Sequence, residues 1–243
     1  MLSKNQIKLI TSLSQKKYRN QHQLFVAEGI KVVGELIEAG FGLEKLYCTE
    51  NYRFINFIDK EKVEIISENE LKKISSLKSP NQVLGLFKIP QAKKINEKGL
   101  IVALDDINDP GNLGTIIRLC DWFGVKQIVC STNTVDCFNV KVVQATMGSL
   151  ARVNVFYTDL EEFLNRTTLP IYGAVMNGKN VYSASKEENA ILVMGNEANG
   201  ISETIEKLIT HTITIPKYNK DAVIDSLNVA TATAILLNEF RRN

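Results

Sequence analysis

Three stretches of this sequence place polar side chains beside glycines, close to apolar runs. The first, DPGNLGTIIR at residues 109–118, follows LIVALDDI. Gly114 and Arg118 lie four residues apart, so on a helix they share a face, and the missing side chain of the glycine leaves room for a ligand near the guanidinium. Arginine is suited to a phosphate or a ribose oxygen. Asn112 lies where a helix cap belongs, and capping alone would also explain it.

The second stretch, ILVMGNEANGI, runs from an apolar segment into Gly195, Asn196 and Glu197 and closes with Asn199 and Gly200. Closely spaced glycines permit a tight backbone whose amides are free to bind an adenine or a carboxylate. Because Asn-Gly pairs are common in ordinary turns, this stretch alone is a weak indication of a site.

The third stretch is ITIPKYNKDAVIDSLNVATATAILL, residues 213–237. Ser226 is predicted to cap a closing helix. The apolar positions of that helix recur at helical spacing, which favours a capped core helix as the plain alternative to a site. They are Val229, Thr233, Leu236 and Phe240. Alanines at positions 230, 232 and 234 would let another helix, such as one from a second subunit, approach closely.

The elements that must position these stretches alternate regularly after residue 100. Strands that are apolar throughout alternate with helices, which predicts a mainly parallel sheet covered on both faces. In such sheets ligands bind outside the carboxyl ends of the strands, so the chemistry is expected there. The predicted helices span residues 111–123, 140–150 and 226–242, with shorter ones at DLEEFLNR and SETIEKLI, and the predicted strands are LIVALDDI, KQIVCS, RVNVFYT, IYGAVM, AILVMGNE and HTITIP.

The N-terminal part has a mixed α/β pattern. A basic helix is predicted near residues 4–16, a strand at LFVAEG, a helix from Gly29 to Ala39, and strands at LEKLYCT, VEIIS and VLGLFKIP. The segment PQAKKINEK, residues 90–98, is charged and lacks apolar periodicity, which indicates a domain boundary. We therefore divide the chain into residues 1–95 and 96–243.

Charge is distributed unevenly along the 243 residues. Residues 1–100 contain 17 Lys and Arg against 11 Asp and Glu, whereas the remainder contains 12 against 16. A basic half suits a polyanion such as RNA, since each phosphate contact gains affinity through counterion release. A solvated helix face is the alternative. The candidates for RNA contact are Lys4, Lys8, Lys16, Lys17 and Arg19, with Lys141 as a further contact near the site.

Composition argues against several classes of protein. No apolar run approaches the roughly 18 residues that span a bilayer, and the polar first twenty residues do not form a secretory signal, so a cytoplasmic location is expected. The four cysteines contain no CxxC pair and only two histidines accompany them, so we expect reduced structural thiols and no metal site. The GxGxxG fingerprint of dinucleotide-binding proteins is missing, which argues against a nicotinamide oxidoreductase.

Taken together, the three stretches resemble the motifs of the SpoU (TrmH) family, the S-adenosylmethionine-dependent RNA 2′-O-ribose methyltransferases of the SPOUT superfamily. The matching residues are NLGTIIR (112–118), GNEANG (195–200), and IP (215–216) with SLN (226–228). KVVQATMGSL (141–150) resembles the intervening helix of the family, and LFVAEGIKVVGELI resembles the ribosomal-protein-like substrate-binding domain of many members. The resemblance extends over nearly the whole chain.

The resemblance implies an α/β SPOUT domain with a deep trefoil knot, preceded by a small α/β RNA-binding domain. It also implies a homodimer with active sites at the interface and S-adenosylmethionine held in the knot. Cofactor binding then falls to Gly195, Asn196, Gly200, Ile215 and Leu227. The methyl group and the target ribose would be surrounded by Asn112, Arg118, Glu197, Ser226 and Asn228.

In the family account, the arginine of the first motif, here Arg118, accepts the proton of the ribose hydroxyl. A guanidinium with a pKa above about 12 is a poor base, so we assign Arg118 to orienting ribose or phosphate. The base is left open, with relay through an RNA phosphate as one route. Glu197 would order its loop or orient Arg118, and Ser226 and Asn228 would bind substrate and fix Asn112.

The resemblance leaves the substrate and one alternative open. An N-terminal domain of about 95 residues favours ribosomal RNA over transfer RNA by analogy. Between Pro216 and Ser226 the family commonly has a shorter loop with Ile-Pro-Met and a glycine, whereas this chain has Lys217 and no glycine. This departure makes a non-catalytic RNA-binding or ribosome-assembly protein on the same fold the alternative function.

Overall fold

The structure, a computed structural model, describes residues 1–50, 52, 58–91, 93–219, 221 and 226–242. In chain order its elements are α1 (Lys4–Ser12), α2 (Lys16–His22), β1 (Leu24–Glu28), α3 (Ile30–Glu38), β2 (Leu43–Cys48), β3 (Val63–Ile65), α4 (Glu68–Ile74), β4 (Val83–Lys88), β5 (Leu100–Leu104), α5 (Pro110–Trp122), β6 (Gln127–Ser131), α6 (Val140–Thr146), β7 (Asn154–Thr158), α7 (Leu160–Arg166), β8 (Ile171–Asn180), β9 (Ala190–Met194), α8 (Glu203–Glu206), β10 (His211–Thr214) and α9 (Val229–Arg241). Short 3₁₀ turns lie at Lys60–Lys62 and Ser149–Ala151.

The chain divides into two compact units, each formed from two segments. The first unit contains Met1–Gln91 and Asp136–Ala151, and the second contains Ala92–Val135 and Arg152–Asn243. The segment 136–151, which includes α6, therefore belongs to the first unit although its neighbours in sequence belong to the second. The predicted division into domains at residue 95 stays a prediction.

The first unit is built on a four-stranded sheet with the order β1-β4-β2-β3. β4 is antiparallel to β1 and β2, whereas β2 and β3 are parallel. Its core includes Ile10 and Leu13 from the N-terminal helix and the turn after it, together with Leu71 and Ile74 of α4. Helices of seven to nine residues are not stable on their own, and the burial of their apolar faces in this core stabilises them.

The second unit is built on a six-stranded parallel sheet with the order β10-β8-β9-β5-β6-β7. Every residue of the central strands β5 and β9 is buried, as the continuous apolar runs in the sequence predict for strands covered on both faces. Helix α9 packs against α5. The predicted α/β class with a parallel sheet is confirmed in this unit.

Several elements differ from the sequence prediction. The single helix near residues 4–16 is two helices, because Gln15 is extended and is the N-cap of α2. The helix at 140–150 ends at Thr146, where Met147 and Gly148 take positive φ angles of 53° and 98°. Helix α4 was not predicted, although its Ser67–Glu70 capping box is visible in the sequence. Strand β8 runs to Asn180 because its end pairs with β10.

Candidate active site

The loops that follow β5 and β9 begin side by side, because these strands are neighbours in the sheet. Leu104 pairs with Met194 at the carboxyl ends, and the amide of Asp105 donates to the Met194 carbonyl over 2.9 Å. Asp105 is buried and its carboxylate accepts the amide N–H of Ser202 at 2.8 Å. Hydrogen bonds therefore connect the starts of the two loops that carry the first and second motifs, as expected for two strand ends at one edge of a parallel sheet.

Helix α5 carries the first motif, and Asp109 rather than Asn112 caps it. The Asp109 carboxylate accepts the amide of Asn112 at 2.7 Å, and Pro110 occupies the first turn. Capping, the plain alternative to a site role for Asn112, does not apply, because an Asp followed by Pro satisfies the helix N-terminus three residues earlier. The side chain of Asn112 is consequently released for contacts outside its own helix.

Asn228, not Ser226, caps helix α9. Its side-chain oxygen accepts the amides of Ala230 and Thr231 at 3.0 and 3.2 Å. Val229 is the first buried residue of the helix, so the cap falls directly before it and two residues after the predicted position. The side-chain nitrogen of Asn228 donates to Oδ1 of Asn112 over 2.9 Å, across 116 positions of sequence.

Asn112 also contacts the second motif. Its side-chain nitrogen donates to Oε1 of Glu197, so that Asn228, Asn112 and Glu197 form a continuous chain of hydrogen bonds. We call these three residues the amide relay. It ties the start of α5, the loop after β9 and the start of α9 together, and it joins three of the five residues that the sequence assigned to catalysis. Glu197 and Asn228, the two ends of the relay, are exposed, whereas Asn112 between them is half-buried.

The turn after β9 is shaped by Asn196 and by two glycines. Asn196 and Gly200 exchange two backbone hydrogen bonds of 2.9 Å. The Asn196 side chain accepts the amides of residues 198 and 199 and donates to the carbonyl of Asp106 at 2.7 Å. Asn196 thus shapes the turn, and the expectation that it also contacts the cofactor stays a prediction.

The two glycines of this turn are required for different reasons. A Cβ on Gly195 would lie 2.2 Å from the backbone carbonyl carbon of Gly200, so no other residue fits there without moving the backbone. Gly200 has a φ of +71°, and no neighbouring atom lies within 4 Å of the place that a Cβ would take, so its constraint is conformational. The turn thus brings backbone closer to backbone than a side chain allows.

Arg118 lies on α5 with its side chain exposed. Among the residues that the structure describes, it has no hydrogen-bond or ion-pair partner, in contrast to the exposed Arg152 and Arg166, which pair with Asp121 and Glu162. Its five donors are therefore available to a ligand. Gly114, one turn earlier, is buried.

For the other residues of the third motif, the structure gives their exposure to solvent. Ile215 is half-buried directly after β10, and Ser226 is exposed before the α9 cap. Leu227 is 46% exposed, so part of its apolar side chain faces solvent. Residues 220 and 222–225 of the altered loop lie outside the described residues, so the expectation about that loop stays a prediction.

The basic residues of the N-terminal part fall into two groups. Lys4, Lys8, Lys16 and Lys17 are exposed on α1 and α2, and Lys141 is exposed on α6. Arg19 is only 2% exposed and forms an ion pair with Asp136 at 2.6 Å. The prediction that Arg19 contacts RNA phosphate is therefore corrected, because its charge is neutralised inside the first unit.

Sequence reasoning missed three residues that hold the strand ends, namely Asp105, Asp109 and Ser202. The Asp-Pro pair at the start of α5 is a recognisable helix-start signal that identifies Asp109.

All four cysteines are buried thiols, and burial raises the pKa of the Cys120 thiol. Within the described ranges, no group of three metal-ligating side chains occurs and no helix has the length and apolar character to cross a bilayer.

Comparison with protein families gives two matches that together cover most of the chain. Residues 99–238 match the SpoU rRNA Methylase family, and residues 4–85 match the MRM3-like substrate binding domain. Among curated proteins, the chain is 26% identical over 245 residues to the 23S rRNA (guanosine(2553)-2′-O)-methyltransferase RlmP of Bacillus subtilis, covering 98% of this chain and 97% of that protein.

Two solved structures are similar over nearly their full lengths. A candidate RNA methyltransferase of the TrmH family from Porphyromonas gingivalis has a TM-score of 0.91 at 39% identity, covering 99% of this chain and 98% of its own. An AdoMet-bound rRNA methyltransferase from Sinorhizobium meliloti has a TM-score of 0.89 at 29% identity, covering 99% of this chain and 95% of its own. The similarity in fold therefore includes both units.

Proposed function

Because the chain belongs to the SpoU rRNA Methylase family, we propose that it transfers a methyl group from S-adenosylmethionine to a ribose 2′-hydroxyl of structured RNA, and that this RNA is ribosomal RNA. The observation that carries this proposal is the amide relay, which lies at the carboxyl ends of the neighbouring strands β5 and β9. Helix α5, which contributes Asn112 to the relay, also carries Arg118, an arginine without a polar partner among the described residues. The names of RlmP and of the AdoMet-bound Sinorhizobium meliloti protein support the substrate class and the cofactor.

The residues present fit S-adenosylmethionine. The turn from Gly195 to Gly200 has the close backbone approach that a Cβ would prevent, and Leu227 offers an exposed apolar surface. We assign cofactor contact to the backbone around Gly195, Gly200 and Ile215 and to Leu227. When bound, S-adenosylmethionine supplies a methyl group activated by a sulfonium.

The protein's own contribution is to hold the attacking hydroxyl in line with that methyl group and to organise charge around it. Positioning of this kind accounts for a large part of the rate of a displacement. Arg118 donates to a ribose or phosphate oxygen and keeps its proton, since a guanidinium stays protonated. The relay keeps Asn112 and Glu197 in one arrangement, and Ser226, two residues before the α9 cap, would bind the substrate.

A direct assay tests this proposal. The purified protein is incubated with radiolabelled S-adenosylmethionine and total RNA from a strain that lacks it, after which the RNA is fractionated and 2′-O-methylation is mapped. Label in one ribosomal RNA supports the proposal, and label confined to transfer RNA corrects the substrate. No label despite measurable RNA binding would contradict the enzyme and favour the non-catalytic RNA-binding protein.

We assign RNA selection to the first unit, which matches a substrate-binding family and presents four exposed lysines on α1 and α2. RNA with folded shape is recognised through phosphates and exposed nucleotides, which suits a basic surface that delivers a nucleotide to a separate site. Residues 1–95 and 96–243 would act as the two functional domains, with Lys141 as an added contact. A homodimer, a trefoil knot in the second unit and a cytoplasmic location complete the proposal.

Neutralising the four lysines is expected to weaken RNA binding and to flatten its salt dependence. Each lysine that contacts a phosphate contributes roughly 0.7 to the slope of log K against log salt on a single strand. The slope is measured by fluorescence anisotropy at several salt concentrations. The variant carries Lys4→Gln, Lys8→Gln, Lys16→Gln and Lys17→Gln.

The matched control removes the same charge from exposed lysines elsewhere. It should keep the salt slope and the RNA affinity close to those of the wild type. An unchanged slope in the first variant would mean that the lysines of α1 and α2 form an ordinary solvated surface and do not contact RNA phosphates. The control carries Lys98→Gln, Lys126→Gln, Lys179→Gln and Lys207→Gln, all in the second unit.

A further inference from the structure

Arg19 is a buried cation whose hydrogen bonds join two distant parts of the first unit. Its Nε and Nη2 donate to Oδ2 of Asp136 at 2.9 and 2.6 Å, and Nη1 donates to the carbonyls of Leu13 and Ser14, both at 2.9 Å. Leu13 and Ser14 follow the end of α1, so the guanidinium satisfies carbonyls that a helix end leaves without partners. Four donors are used, and a shorter or single-pronged cation could not reach all three partners.

Asp136 is the first residue of the segment that leaves the second unit. Its other carboxylate oxygen accepts the amide of Phe138, and its carbonyl accepts the amide of Asn139, which begins α6. The ring of Phe138 packs on Phe25 of β1 with centroids 4.8 Å apart. The start of the segment 136–151 is thus held by the ion pair, by its own turn and by an aromatic contact within the first unit.

Val135, the residue directly before Asp136, is held within the second unit. Its amide donates to the carbonyl of Ile107 at 2.9 Å, and its carbonyl accepts the hydroxyl of Tyr157 at 2.6 Å. Ile107 lies in the loop between β5 and the Asp109 cap of α5. The peptide that links Val135 to Asp136 is therefore anchored at the catalytic loop on one side and at Arg19 on the other.

The residues before Val135 strengthen this connection. The hydroxyl of Thr134 accepts the amide of Ile107, and the hydroxyl of Ser131 accepts the amide of Asp106 at 2.9 Å. Asp106 has a φ of 58°, a conformation that needs support from its surroundings, and its carbonyl accepts Asn196 of the second motif. The loop that sets the start of α5 and the turn after β9 both depend on this strand end.

We propose that Arg19, through Asp136, is a positioning residue for methyl transfer: it fixes the Val135–Asp136 peptide and thereby the loop that carries Asn112 into the amide relay. This proposal rests on the proposed function for its kinetic consequence but not for its structural one. It gives the buried arginine a role other than RNA contact, and it explains why a cation is held where an apolar residue would suffice for packing.

Hydrogen exchange of single amides tests the structural part without any substrate. In Asp136→Asn, the amides of Val135 and Ile107 are expected to exchange at least about tenfold faster than in the wild type, because opening of their hydrogen bonds becomes easier. Arg19→Lys keeps the charge and should show a smaller increase. The control is Leu71→Ala, which destabilises the core of the same unit without touching Asp136.

Steady-state kinetics over a range of RNA concentrations test the consequence. We expect Asp136→Asn to lower kcat about 10- to 100-fold with KM for RNA nearly unchanged, as for a misplaced catalytic group. Arg19→Lys should recover part of kcat, and Leu71→Ala should keep kcat at temperatures below its unfolding. A rise in KM alone, or unchanged exchange at Val135 while α6 exchanges faster, would overturn the proposal. If the wild-type protein itself transfers no methyl group, the proposed function fails, and the exchange data still decide the coupling.

Discussion

Arg118→Ala is expected to abolish methyl transfer while the fold and the affinity for S-adenosylmethionine stay close to those of the wild type. The side chain is exposed and has no polar partner among the described residues, so its removal costs little stability, within about 0.5 kcal/mol. Its loss removes the donors that hold the attacking ribose or its phosphate. Losing a preorganised charged donor lowers kcat by about 10²- to 10³-fold or more.

Three measurements separate this role from a structural one. Thermal unfolding and calorimetric titration of S-adenosylmethionine should match the wild type, whereas incorporation of the labelled methyl group should fall to background. Arg118→Lys keeps the charge but loses the planar fork, so we expect it to recover only a fraction of the activity. Arg166→Ala is the matched control, since Arg166 is an exposed arginine of the same unit, 68% accessible and paired with Glu162 along its own helix. Near-normal turnover in Arg118→Ala would refute the assignment.

The sequence predicted the frame of the second unit because its signals are local. Helix α5 was expected at residues 111–123 and lies at Pro110–Trp122, and the apolar runs form the fully buried strands β5 and β9. Alternation of apolar strands with helices is enough to predict a parallel sheet, and its carboxyl edge then locates the loops. The motifs could thus be assigned to one edge of the sheet from the sequence alone.

The partners of the site residues could not be predicted in the same way. The hydrogen bond between Asn112 and Asn228 joins residues 116 positions apart, and the capping preferences of Asn, Asp and Ser are too similar to decide which one caps. Ser226 was therefore expected to cap a helix that Asn228 caps, and capping was left open for Asn112 in a helix that Asp109 caps. This exchange matters, because it releases Asn112 for the relay.

Arg19 shows the same limit for charge. A basic run near the N-terminus predicts a solvated or RNA-facing surface, and this is consistent with the exposure of Lys16 and Lys17. Nothing in the local pattern distinguishes Arg19 from these lysines, since its partner Asp136 lies 117 positions away. Only the fold brings the two charges together, and a buried cation is stable only with such a partner.

Gly195→Ala is expected to eliminate binding of S-adenosylmethionine and to destabilise the second unit. The added Cβ would lie 2.2 Å from the carbonyl carbon of Gly200 and 2.3 Å from the amide of Ile201, both backbone atoms that cannot turn away as a side chain would. Relief requires the turn to open, which breaks the paired hydrogen bonds between Asn196 and Gly200. Overpacking of this kind costs about 1–3 kcal/mol or more.

A graded series distinguishes loss of the turn from general unfolding. Gly200→Ala meets no neighbouring atom but must adopt a φ of +71°, so we expect a smaller loss of stability, about 1 kcal/mol, and measurable but weakened cofactor binding. Gly42→Ala, where the new Cβ meets only the Lys88 side chain at 3.4 Å, is the control and should bind the cofactor normally. Calorimetric titration and thermal unfolding of the three variants give the order. Because the clash in Gly195→Ala is between backbone atoms of the turn itself, wild-type affinity in that variant would mean that the cofactor does not use this turn, even if the protein is less stable.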